Sequence, residues 1–209
     1  MTSEKSSEST KVLDFLIIFK TKLFLMFVIV FAISLILLGF PNLAPGLMAS
    51  SRNVLSAFTS VFVHKDLAHL GASLILTLTV LLLYSLSNTI AGKSSGNFII
   101  LAIWISTISA SLAFVNLAPN ARVGGSSGLV SAFLSGAVVT AYLNAYEDPV
   151  RHNRVFQLII GTILVVAFVI LNLNVDAETN VTIHLSSFLY MAVLMLGKRF
   201  LSSFFSKKD

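Results

Sequence analysis

A serine hydroxyl is a weak nucleophile until a neighbouring base takes its proton, and histidine titrates in the right range to be that base. Both residue types stand at the heads of long apolar runs in this chain. Ser127 lies in VGGSSGLVSAFLSG (Val123–Gly136), His184 opens the last run, and His69 and Ser73 sit one turn apart at the head of an earlier one. Polar groups at membrane depth are costly and mark functional sites. Gly125 and Gly128 flank the serine with no Cβ to block a close approach. The chemistry that fits is acyl transfer. None of the runs contains Asp or Glu, so a two-residue Ser127–His184 arrangement is the most the chain permits. The absence of cysteine excludes a thiol nucleophile, disulfides and Cys-ligated metal.

The elements that must position these residues are read from composition. The 209 residues are 56% hydrophobic and 11% charged, with a mean hydropathy of +0.91. A soluble domain carries about 25% charged residues. Near-continuous apolar runs about twice the ~10-residue strand of a membrane barrel predict helices. Six spans are expected, at about 23–40, 67–86, 98–117, 126–146, 155–173 and 181–200. Residues 1–11 read as a disordered cytosolic tail, 12–203 as the membrane domain, and 204–209 as a basic cytosolic tail. Val12–Phe19 reads as an interfacial piece or an early extension of the first helix. The first run is too long for the core of a signal peptide and reads as a retained span.

The connection 41–66 is long and not polar. Val54, Leu55, Phe58, Val61 and Phe62 fall near helical spacing, which predicts a half-embedded segment, either shaping a site or serving as an amphipathic connector. Pro149 is expected to break the chain in the most charged loop, 147–154, and 174–182 reads as a short acidic loop.

The net charge of +5 is a topology signal and not a nucleic-acid footprint. With a cytosolic N-terminus, eleven of the fourteen Lys and Arg fall on the inner side, leaving Arg52, Lys65 and Arg122 outside. That excess places both termini in the cytosol of a multi-pass protein, expected in the plasma membrane. Spans two, four and six then all begin at the outer face. Their first turns carry His69, Ser73, Ser127 and His184, within about two turns of one boundary at ~1.5 Å per residue. The first amides of span four lack intrahelical acceptors and can receive an oxyanion.

These residues give the chain a resemblance to the rhomboid family of intramembrane serine proteases. GGSSG is similar to the family's Gly-x-Ser-Gly, with Ser127 in the nucleophile place and His184 in that of the sixth-span histidine. FTSVFVHKDLAHL resembles the stretch entering span two, where His69 and Ser73 would support the oxyanion site together with Gly125 and Gly128. The resemblance implies an all-α, six-helix rhomboid-like bundle with a long, partly embedded first outer loop. It implies hydrolysis of peptide bonds in transmembrane segments of protein substrates within the lipid bilayer, with no cofactor or metal. The chain departs from the family at four supporting places. Ser73 stands where Asn is usual, Ser131 where many members have an aromatic, and Ser187 where Gly is usual, and a Trp-Arg pair in the first outer loop is missing.

Other readings of the same residues remain open. Ser127, Ser131 and Ser135 lie beside a Gly128, Ala132, Gly136 ridge, a small-residue pattern that lets membrane helices pack closely without catalysis. A silent rhomboid-like protein that binds transmembrane clients is the main alternative, and a small transporter a further one. His64 reads as a boundary residue and His152 as solvated. The spacing of His64 and His69 puts them on different faces of one helix, which argues against a shared metal. Asn180-Val181-Thr182 fits a glycosylation sequon but abuts span six.

Overall fold

The computed structural model describes residues 21–51, 53, 55–93, 97–118, 120, 122–173 and 178–205. The expectations for Val12–Phe19 and for the two tails beyond residues 20 and 205 lie outside them, as does the centre of the acidic loop at 174–177. Eight helices are seen among the described residues: α1 (Lys22–Leu38), α2 (Ala44–Leu47), α3 (Leu55–Thr59), α4 (Leu67–Ile90), α5 (Phe98–Leu117), α6 (Ser127–Glu147), α7 (Arg151–Leu173) and α8 (Glu178–Phe205). Single 3-10 turns occupy Pro41–Leu43 and Ser60–Phe62. Extended pairing among the described residues is confined to two isolated bridges, Ala49 with Val123 and Ser50 with Asn53.

Five helices, α4 to α8, are long and apolar enough to cross a membrane. A sixth is counted if α1 and the segment Pro41–Leu47, bent by 102° from it, form one span. At 17 residues α1 alone reaches the lower end of the ~17–25 that hydrocarbon requires. It ends at Leu38 with Gly39 as its C-cap, and Pro41, two residues on, cannot continue the hydrogen-bond ladder.

The expected spans match these helices except at their polar ends. α7 begins at Arg151, inside the segment read as a loop, and α8 starts at Glu178 and runs on to Phe205. Hydropathy marks where hydrocarbon ends, but polar residues continue a helix readily into water. Pro149 and the Asp148 carboxylate, which accepts from Val150 N at 2.8 Å, set the start of α7.

α6 is the axis of the bundle. Its most apolar 18-residue stretch is 78% buried, against 22–50% for the other four crossing helices. It packs on α8, α7, α4 and α5 in turn. Phe133 anchors α1 through Phe27 (ring centroids 5.1 Å) and α4 through Tyr84 (5.7 Å). Small residues let α8 come close. A Cβ built on Gly128 would meet Ile183 Cγ2 at 3.3 Å and Ser187 Oγ at 3.4 Å, while one on Gly136 would meet Met191 Cε at 2.5 Å. Ser135 Oγ donates to the Phe188 carbonyl at 2.7 Å between those two points. The small-residue ridge therefore packs as a ridge, alongside whatever else Ser127 does. In contrast, α7 turns Ile159, Ile163, Val166 and Ile170 outward, a helical stripe suited to lipid.

At the end of the bundle opposite Ser127, polar groups clamp four helices. Ser87 Oγ donates to Gln157 Oε1 (2.6 Å), Gln157 Nε2 donates to the Ser87 carbonyl (2.7 Å), and Asn144 Nδ2 donates to Ser87 Oγ (3.1 Å). Lys93 adds a bond to Asn144 Oδ1, and Lys93 and Arg199 both pair with Glu147. Gln157→Leu leaves Ser87 short of a partner in a buried setting, a cost of about 1–2 kcal/mol. The expected outcome is a thermal midpoint lowered by roughly 3–6 °C, measured in detergent by differential scanning fluorimetry. An unchanged midpoint would show that the clamp adds nothing.

Candidate active site

The segment before α6 is held from outside. Ala49 N donates to the Val123 carbonyl at 2.8 Å, and Gly125 N donates to the Ser60 carbonyl at 2.8 Å. The connection between α1 and α4 thus docks on the serine loop. Of its apolar positions Val54 lies outside the described residues and Leu55 is exposed, while the others pack on the bundle. Val61 is buried, and Phe58 stacks on Trp104 of α5 at 4.8 Å, with Phe62 at the same cluster. Gly125 adopts φ +117, a conformation that side-chain-bearing residues rarely adopt.

His64 departs from its reading as a boundary residue. It is buried, and its Nε2 lies 2.9 Å from Ser126 Oγ and accepts the Ser126 backbone N–H at 3.3 Å. Accepting an N–H requires a lone pair on Nε2, which places the ring proton on Nδ1. Ser126 therefore spends its hydroxyl on His64 and makes no side-chain cap for α6. Sequence reasoning missed this pair because the signal, a second serine in GGSSG, is indistinguishable from its neighbour. The spacing argument about His64 and His69 also fails. His64 precedes the helix, and the two rings stand 5.3 Å apart, edge to face. Among the described residues no three His, Asp or Glu side chains converge as ion ligands.

Burial pushes the His64 pKa down from 6.5 to about 4, assisted by the His69 ring and opposed by the Phe62 backbone. The unfolded chain then binds more protons than the folded one between those values, so stability is full above about pH 6.5 and declines as pH falls toward 4. A shift of that size corresponds to roughly 3–4 kcal/mol at ~1.4 kcal/mol per unit. His64→Asn is expected to lower the thermal midpoint at pH 7.5 and to flatten its fall between pH 6.5 and 4.5. A variant with the parent's pH slope would show that His64 does not carry the effect.

Ser127 is the first residue of α6 and is half-buried. The first intrahelical bond of α6 is Val130 N to the Ser126 carbonyl (2.9 Å), so the amides of Ser127, Gly128 and Leu129 point out of the helix start without helical acceptors. A Cβ on Gly125 would lie 3.2 Å from His69 Cε1 and 3.7 Å from both His69 Nε2 and Ser127 Oγ, so imidazole and hydroxyl border one small space. Ser73 is buried one turn beyond His69. His184 is buried on α8 between Ile183 and Ser187, the two residues that touch Gly128. All six expected site residues are thus gathered at one end of the bundle. The Ser127–His184 hydrogen bond is not made: among the described residues neither buried His184 ring nitrogen has a partner, nor do His64 Nδ1, Ser131 Oγ and Ser187 Oγ.

Fold and composition together define a multi-pass helical membrane protein with a polar cluster at one end of its bundle. No protein-family model matches the chain, and no curated protein or solved structure matches it.

Proposed function

We propose that the chain is a rhomboid-type intramembrane serine endopeptidase that cleaves transmembrane segments of membrane proteins, with both termini cytosolic in the plasma membrane. The observation that supports it best is the pairing of opposite deficits in one layer. Among the described residues neither ring nitrogen of the buried His184 has a partner, and beside its helix stand the Ser127 hydroxyl and three amides without helical acceptors. Burying an unsatisfied ring costs free energy that a ligand or a side-chain movement would recover. In this reading Ser127 Oγ attacks the scissile carbonyl and its proton passes to His184. The oxyanion is received by the first amides of α6 and by His69. His184 then returns the proton to the leaving amine, and water hydrolyses the acyl-enzyme.

One observation favours a second reading, a silent client-binding protein: the dyad hydrogen bond is open, and serines occupy the supporting positions 73, 131 and 187. Labelling of the detergent-solubilised protein by a fluorophosphonate separates the two. Labelling that disappears in Ser127→Ala supports the hydrolase. Absence of labelling in the parent, or equal labelling of Ser127→Ala, supports the client binder.

A further inference from the structure

A cleft of about 530 Å³ opens at the same end of the bundle, between the end of α1 and the loops leading into α4 and α6. One half is apolar, formed by Leu37, Leu38, Pro41, Ala44 and Met48. The other half carries His64, Lys65, His69 and Arg122, and no carboxylate among the described residues lines it. The nearest acid, Asp66, turns its Oδ1 to the His69 backbone N–H at 2.8 Å as the α4 cap. Lys65 and Arg122 are exposed, and among the described residues neither is in an ion pair.

The charge distribution makes this pairing informative. The charge count leaves three basic residues at this end of the chain, and two of them meet in one cleft, while the third, Arg52, is outside the described residues. The cleft also lies where three helices reach their boundary: α1 ends at Leu38, α4 begins at Leu67 and α6 at Ser127. The ends of helices that cross a bilayer fall at headgroup depth, and the cleft there combines an apolar wall with cations.

We propose that this cleft binds the anionic head of a phospholipid, its phosphate against Lys65 and Arg122 and its glycerol and upper acyl carbons along Leu37, Leu38 and Ala44. A basic residue near an anionic headgroup contributes on the order of fivefold in affinity, so the pair contributes tenfold or more. The proposal does not rest on the hydrolase reading and is tested in Ser127→Ala protein, where no turnover can enter.

The experiment is native mass spectrometry of that protein titrated with phosphatidylglycerol or phosphatidylcholine of matched chains. One phosphatidylglycerol is expected to bind at least about tenfold more tightly than phosphatidylcholine. Lys65→Gln/Arg122→Gln should erase the difference. Ala44→Phe, which fills the apolar half without changing charge, should weaken both lipids. Lys198→Gln, at the far end, should change neither. Equal binding of the two lipids by the parent would overturn the proposal, as would a preference that survives the double substitution. So would full displacement of the lipid by millimolar inorganic phosphate, which would assign the cleft to a free anion, or by a soluble acidic peptide, which would assign it to a protein client.

Discussion

Ser127→Ala is expected to reduce proteolysis of a transmembrane substrate by roughly 10³-fold or more, with His184→Ala equally severe and the double variant no worse. Non-additivity is the signature of two groups acting as one unit. Independent roles would instead multiply. In the proposed reading His69 is one oxyanion donor, so His69→Ala should cost about 10²-fold. Stability separates these effects from misfolding. The His184 ring is buried with neither nitrogen satisfied among the described residues, so His184→Leu is expected to hold or raise the thermal midpoint while abolishing activity. A chain whose turnover and fluorophosphonate labelling both survive Ser127→Ala has no such unit, and the hydrolase reading falls.

Gly125→Val is expected to disable the site with little change in the rest of the fold. Residue 125 has φ +117, where a β-branched residue is a strong outlier, at a strain of roughly 1–3 kcal/mol. The new Cβ would also press on His69 Cε1 at 3.2 Å and crowd the space shared with Ser127 Oγ. The loop can relieve this only by giving up the Gly125 N bond to Ser60, which docks the outer connection. Labelling at Ser127 should therefore fall at least about tenfold, the equivalent of one kcal/mol or slightly more, while the helix signal in circular dichroism stays. Gly125→Ala should fall between the parent and Gly125→Val. Parent-like labelling of Gly125→Val would mean that the loop geometry does not govern the serine.

The helices and the layer of site residues were legible because they depend on local properties. Each span is a near-continuous apolar run, and α5 lies where its hydropathy places it, at Phe98–Leu117. The order of spans then forces His69, Ser127 and His184 to one end. The contact of α6 with α8 was legible in Gly128 and Gly136, since small residues imply close approach. Polar ends were read less well, as α7 shows by starting at Arg151.

The partners of the polar atoms were not legible. Two adjacent serines differ by one residue of chain, yet Ser126 meets His64 while Ser127 faces the space beside His69. The clamp of Ser87, Asn144 and Gln157 joins residues 57 and 70 positions apart, and no pattern in the apolar runs announces it.

By itself the sequence determined a multi-pass helical protein, the order of its spans and the end at which a serine and its histidines gather. Hydropathy, charge count and the rise of a helix are additive along the chain, so they can be summed without knowing the fold. Only the tertiary structure decided that His64 Nε2 is taken by Ser126, that His184 has no partner among the described residues, and that Lys65 and Arg122 share a cleft with the end of α1. A hydrogen bond fails over a few tenths of an ångström, and that precision is set by how a docked loop and three helix ends settle against one another.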